Sequence, residues 1–215
     1  MILSEPGTIL DLIMAVAAAP IAPALVPSSS VEQRMLIEGV SWKDYVILRE
    51  ALDTPGLRMT YCEGLLELMS SSFGHEVDKV SVARLVELYG FLRRLRLNGY
   101  GSTTFRREAK QRGAEPDECY CVGRAMKEGQ FPDIVLEVIR TNPLLDKLHV
   151  YLGFGVPEVW LFRNGEFELY RLVGDRYERT PRSGFLPELD FALIARLAAY
   201  EDQQEALDEL RRLVE

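Results

Sequence analysis

The sequence predicts an α/β domain built on a mixed central β-sheet flanked by helices, and three observations carry that prediction. Helical and strand-like stretches alternate along the chain, as they do in folds that layer helices on a sheet. The run Ile134-Val135-Leu136-Glu137-Val138-Ile139 is apolar apart from one carboxylate, as expected of a strand inside a covered sheet. At 215 residues and 47% hydrophobic, the chain can bury one substantial core, since domains run to roughly 100–200 residues. The boundaries expected are an N-terminal extension over 1–30, one domain over 31–199 and a charged C-terminal helix over 200–215.

Each element has its own signal. Residues 9–26 are apolar, but no basic residue precedes them and Asp11, Pro20, Pro23 and Pro27 interrupt them. That suits neither a signal peptide nor a membrane span, so 1–30 is read as a mobile or loosely packed extension. Ser41 caps a helix from Trp42 to Leu52, which Thr54-Pro55-Gly56 breaks. Leu57 to Met69 is a hairpin turning at Glu63-Gly64, with Leu66 and Leu68 alternating against Glu67. A helix from Gly74 to Leu97 follows from the spacing of Leu85, Leu88, Leu92 and Leu95. Thr103 to Lys110 and Glu118 to Val122 are strands joined by Gln111-Arg112-Gly113, and the apolar run to Ile139 is the next strand. Asn142-Pro143 starts a helix that continues from Leu144 to Phe154. Pro157 to Phe162 is a strand, and Asn164-Gly165 before Phe167 to Tyr170 is the strongest hairpin signal in the chain. Gly174-Asp175 turns into a strand near Tyr177, and 187–214 close the chain with one or two helices. The last of these, Gln203 to Val214, is expected to be mostly solvated.

Charge and cysteine content narrow the function. Lys plus Arg number 25 against 33 Asp plus Glu, a net charge of -8, which argues against a protein that coats nucleic acid through global charge. The excess is local, because from Glu188 onward eight acids face three arginines. The stretch from Arg93 to Arg112 is the opposite: Arg93, Arg94, Arg96, Arg106, Arg107, Lys110 and Arg112 stand against Glu108 alone. Such a cluster can pair with phosphates; the bland reading is the exposed face of a helix and strand. Cys62, Cys119 and Cys121 form no disulfide framework and suit a reducing, cytoplasmic compartment. With His75 and His149 as the two histidines, a four-ligand zinc site is not expected.

Glu137 most needs explaining. A charge inside an apolar strand is costly, and lone carboxylates are almost never left there without a cation. Asp117, in Glu115-Pro116-Asp117-Glu118, lies twenty residues earlier. If Asp117 begins one strand and Glu137 ends its neighbour, both carboxylates share a sheet edge, which suits a hard divalent cation. The residues alone equally allow Glu137 to pair with Arg106 or Arg107, since ion-pair networks also bury carboxylates. Asp133, after Pro132, reads as a strand-entry residue.

Taken together, Glu115-Pro116-Asp117-Glu118, Pro132-Asp133-Ile134-Val135-Leu136-Glu137-Val138, Asp146-Lys147 with Tyr151, and Gly155-Val156-Pro157-Glu158-Val159-Trp160 resemble the bacterial Uma-two family, a branch of the PD-(D/E)XK nuclease superfamily. The resemblance spans roughly 38–198. It implies a restriction-endonuclease-like core and a Mg²⁺-dependent endonuclease, Mn²⁺ being an alternative ion, acting on nucleic acid and foremost DNA. It makes Asp117 and Glu137 the metal ligands. The superfamily lysine would stand at position 139, which here is Ile139, and Lys147 from the following helix takes its place, with Arg140 as a substitute. Glu63 is the first choice to complete the shell, with Glu67, His75 or Glu76 as alternatives. A homodimer is compatible, because cutting a duplex takes two sites. The competing reading is a non-catalytic binding or assembly module that keeps the fold, for which Ile139 is the sequence hint.

Overall fold

Two sheets and five helices make up the described residues, 31–54 and 56–215 of the computed structural model. The expected extension at 1–30 lies outside the described residues. In chain order the elements are β1 (Gln33–Ile37), α1 (Trp42–Ala51), β2 (Leu57–Cys62), β3 (Leu65–Ser70), α2 (Phe73–Leu92), β4 (Leu97–Gly99), β5 (Phe105–Arg107), β6 (Arg112–Ala114), β7 (Glu118–Val122), β8 (Ile134–Ile139), α3 (Lys147–Phe154), β9 (Glu158–Arg163), β10 (Glu166–Val173), β11 (Arg176–Thr180), α4 (Phe191–Ala198) and α5 (Gln203–Val214). A five-stranded antiparallel sheet has the order β1-β3-β2-β6-β5, and a six-stranded sheet the order β11-β10-β9-β8-β7-β4. The second sheet is mixed: β8 and β9 are parallel, with α3 as the crossover helix between them, and the other pairs are antiparallel. The α/β expectation holds, with two sheets where one was expected.

Strand β8 is the centre of the molecule because both of its faces are apolar. Ile134, Leu136 and Val138 join the core formed with Val82, Val86, Ile194, Leu197 and Leu210. Val135 and Ile139 join a second core with Val150, Tyr151 and Phe154 of α3. Side chains alternate along a strand, so Glu137 shares the α3 face with Val135 and Ile139. A third cluster seats α1 on the five-stranded sheet through Tyr45, Leu48, Met59, Tyr61 and Leu66.

Several local expectations change for tertiary reasons. The leucine repeat continues to Leu95, but α2 ends at Leu92. Arg94 turns at φ 54°, and Leu97–Gly99 pairs with β7 as an edge strand, which outweighs helix propensity. The strand at 103–110 is cut to Phe105–Arg107 and closes in a 3₁₀ turn, Glu108–Lys110. Of the expected linker Gln111-Arg112-Gly113, Arg112 and Gly113 belong instead to a strand, Arg112–Ala114, that joins β2 to β5. Strand β1, unforeseen, pairs with β3. Asn142-Pro143 does not start α3; Asp146 caps it, its carboxylate accepting from Leu148 N–H at 2.9 Å. The charged helix α5 is not simply solvated, because Ala206 and Leu210 are buried in the main core. Asn164 and Gly165 take φ 51° and 76°, both positive, as a type I′ hairpin turn requires.

Candidate metal centre

Strand register brings the carboxylates together. In the antiparallel β7–β8 pair Glu118 stands opposite Leu136, and continuing that register by one residue sets Asp117 opposite Glu137. The Val138 N–H donates to Asp117 Oδ2 at 2.8 Å, fixing the carboxylate beside the strand. Both residues are buried, at 3% and 4% exposure. Like charges directly opposed on neighbouring strands repel. Burial and the Asp117 charge push the Glu137 carboxyl above its ordinary range, opposed by Lys147 and a Tyr151 hydrogen bond. Asp117 goes the other way: burial raises it, but the hydrogen bond and charge of His75, the Val138 N–H and the Lys147 charge hold it below its usual value.

The surrounding cations and donors come from three elements. From the start of α2, His75 Nε2 lies 2.9 Å from Asp117 Oδ1, and Nδ1 lies 3.0 Å from Glu32 Oε2. Burial alone would lower the imidazole pKa, but the bonds to Asp117 and Glu32 push it up to about 9. A carboxylate oxygen beside each ring nitrogen favours the imidazolium, the form that donates from both. Burial raises Glu32, yet His75, Thr141 and Arg34 bring it down to about 2. From α3, Lys147 Nζ is 3.3 Å from Glu137 Oε1, and the Tyr151 hydroxyl donates to the same oxygen. Lys147 also donates to Thr60 Oγ1 of β2 at 3.2 Å. Arg34 of β1 joins Glu32 to Glu67, and Glu67 Oε2 accepts the Leu144 and Leu145 N–H groups at 2.6 and 2.8 Å.

The donor set fits a hard cation. Two carboxylates present hard oxygens, and each ionised carboxylate has about four lone-pair sites, so the bonds to His75, Val138, Tyr151 and Lys147 leave acceptor capacity free. A divalent cation beside the pair would lower the Glu137 carboxyl that burial and Asp117 raise.

Glu63 sits at the exposed tip of the β2–β3 hairpin with φ 48° and pairs with Arg112 at 3.0 Å, with no bond to Asp117, Glu137 or Lys147. Glu67 binds Arg34 and backbone amides rather than turning to the pair, Glu76 pairs with Lys79, and Arg140 pairs with Asp78 at 2.7 Å. Glu137 is not tied to an arginine. Arg107 donates to the Gly153 and Phe154 carbonyls at the end of α3, and Arg106 lies 3.5 Å from Glu50. Asp133 is a strand-entry residue, accepting from Val122 N–H and Arg124. The basic run is divided: Arg93, Arg94 and Arg96 lie between α2 and β4, while Arg106, Arg107, Lys110 and Arg112 belong to the β5–β6 edge. Of these, Arg112 is buried and Arg93 pairs with Glu188.

Glu32, Arg34 and Thr60 are site residues that the sequence reading missed. For Thr60 a signal existed: a two-residue turn at Glu63-Gly64 sets Thr60 opposite Glu67, a polar pair between the apolar pairs Met59–Leu68 and Tyr61–Leu66.

Residues 42–198 match the Uma2 family model, described as "Putative restriction endonuclease". No curated protein matches the chain. Among solved structures the chain is similar to "a putative nuclease belonging to DUF820" from Anabaena variabilis, at 16% identity and a TM-score of 0.47, over 76% of this chain and 98% of that one.

Proposed function

Since the chain belongs to the Uma2 family, we propose that it is a Mg²⁺-dependent endonuclease that hydrolyses phosphodiester bonds, with DNA as its first substrate. The observation that carries the reading is the buried Asp117–Glu137 pair on adjacent strands with Lys147 Nζ 3.3 Å from Glu137. Asp117 and Glu137 would hold the ion, Mg²⁺ or Mn²⁺. When bound, it supplies Lewis-acid polarisation of a phosphoryl oxygen and a lowered pKa for water. The chain's own residues do the rest. His75 and the Val138 N–H fix the Asp117 carboxylate, and Tyr151 fixes that of Glu137. The Lys147 ammonium orients the attacking water and stabilises charge developing on phosphorus.

Lys147 also lines a cavity of about 430 Å³ with Asn142, Pro143, Arg163 and Tyr170, beside the C-terminal ends of β8 and β9. Ligands favour that end of the strands in open α/β sheets. Arg94, Arg96 and Lys110 are exposed and supply salt-dependent contacts to backbone phosphates. A homodimer would cut both strands of a duplex. Free, buried Cys62, Cys119 and Cys121 support a reducing, cytoplasmic setting. Glu137 tied to an arginine with Lys147 in solvent would favour a non-catalytic module; Lys147 is instead 8% exposed and 3.3 Å from Glu137, which supports the nuclease reading.

The test is direct. Purified protein with Mg²⁺ or Mn²⁺ is expected to cut DNA, and Asp117→Ala or Glu137→Ala to abolish cutting while circular dichroism stays native. Wild-type protein that binds neither ion at millimolar concentration and cuts neither DNA nor RNA overturns the reading.

A further inference from the structure

We propose that Thr60 and Glu67, a cross-strand pair on the five-stranded sheet, are positioning residues that set Lys147 against Glu137. Their catalytic consequence rests on the nuclease reading; the anchoring itself does not.

A lysine two residues beyond Glu137 would be held by the strand register, but that place belongs to Ile139, buried in the α3 core. Lys147 instead begins a separate helix, and 140–146 run between that helix and β8 without regular structure of their own. Its ammonium therefore reaches Glu137 only if something outside that connection fixes the helix start. The β2–β3 hairpin does this twice. Glu67, 1% exposed, accepts the Leu144 and Leu145 N–H groups through one carboxylate oxygen, at 2.6 and 2.8 Å, while Arg34 holds the other. Thr60, directly opposite Glu67 in the register and 3% exposed, accepts from Lys147 Nζ at 3.2 Å. One side chain thus fixes the backbone entering α3 and its cross-strand partner fixes the side-chain tip. A buried ammonium lacking one acceptor seeks another or moves toward water, so losing Thr60 Oγ1 loosens the contact with Glu137. The pair is also rigid, because both strands lie inside the sheet, β3 between β1 and β2, and β2 between β3 and β6.

Thr60→Val removes the acceptor and Thr60→Ser keeps it. The first measurement needs neither metal nor substrate: acylation of Lys147 by acetic anhydride, followed by peptide mass mapping. Thr60→Val is expected to label about tenfold faster than wild type, the scale of one hydrogen bond to a charged group, and Thr60→Ser at the wild-type rate. Glu67→Gln is expected to speed hydrogen exchange at the Leu144 and Leu145 amides, a readout that stands even if Thr60→Val fails to fold. In cleavage, Thr60→Val is expected to lower kcat about tenfold on the same scale with KM and Mg²⁺ affinity unchanged, and Thr60→Ser to restore kcat. If Lys147 labelling in a folded Thr60→Val and amide exchange in Glu67→Gln both match wild type, the proposal is wrong. Wild-type protein that cuts nothing sinks the nuclease reading alone, since labelling and exchange still decide the anchoring.

Discussion

Two clusters in this molecule unite a carboxylate, a histidine and a basic side chain, and they differ in what supplies the positive charge. At the hairpin tip, Cys62, Glu63 and His149 hold ligand atoms within 4.8 Å of one another. There the Arg112 guanidinium already bonds Glu63 at 3.0 Å and His149 Nε2 at 2.9 Å, and the Glu63 and His149 side chains are 61% and 50% exposed. In the centre built on β7 and β8, two buried carboxylates oppose each other and Glu137 is pushed toward its neutral form. The contrast teaches that proximity of donor atoms is a weak sign of a metal centre. A buried pair of opposed carboxylates, one of them still raised above its ordinary range despite a neighbouring lysine, is a stronger one.

The comparison breaks most visibly at Glu137. Glu137→Ala leaves Lys147 and Tyr151 without their shared carboxylate partner. Removing one partner of a buried ion pair costs about 3–5 kcal/mol, so chemical denaturation is expected to show a loss of that size together with loss of Mg²⁺ binding and cutting. Glu137→Gln, closer in shape, is expected to lose metal binding with a smaller stability change. Calorimetry finding Mg²⁺ still bound in these variants but lost in Glu63→Ala would invert the roles of the two clusters.

A smaller effect is expected at His75, which bonds Asp117 and Glu32. Loss of a group that orients a ligand typically weakens metal affinity about 10–100-fold, and titration calorimetry of His75→Asn with Mg²⁺ is expected to fall in that range. An unchanged affinity would mean that Asp117 is held well enough by the Val138 N–H, and that His75 serves the fold by joining Glu32 to Asp117.

The juxtaposition of Asp117, Glu137 and Lys147 was legible because the two acids interrupt apolar or proline-marked sequence and the lysine follows in a helix. The network behind it was not. Glu32 meets His75 across 43 positions and Thr60 meets Lys147 across 87, and no local periodicity encodes which face of one sheet meets the edge of another. The same limit explains α2: the leucine spacing runs past Leu92, and pairing of Leu97–Gly99 with β7 decides where the helix stops. Glu63 is the converse case. Its place beside Gly64 marks the turn correctly, but a turn at the hairpin tip lies beyond the Thr60–Glu67 row that faces the centre.

Substrate contact involves the basic residues outside both clusters. Arg94 and Arg96 are exposed, whereas Arg107 and Arg112 are engaged by α3 and by the hairpin tip. If Arg94 and Arg96 each neutralise one phosphate, the double alanine variant reduces the slope of log affinity against log salt by about 1.8 on duplex DNA, without changing Mg²⁺ affinity. A salt slope equal to that of wild type would assign the phosphate contacts to the β5–β6 edge instead.

The smallest expected effect is at Glu63. Its partner Arg112 is 6% exposed at the side chain but keeps the Lys110 and Gln111 carbonyls at 2.9 and 3.2 Å and His149 at 2.9 Å. Glu63→Ala therefore leaves no buried charge without acceptors, and what is lost is an ion pair whose acid is solvated. Such pairs are worth about 0–1 kcal/mol, so the urea midpoint is expected to shift little and Mg²⁺ affinity and cutting to stay at wild-type levels. A stability loss well above that range, or a fall in Mg²⁺ affinity, would mean that the hairpin tip is coupled to the carboxylate pair through Arg112 and α3. The two clusters would then act as one site.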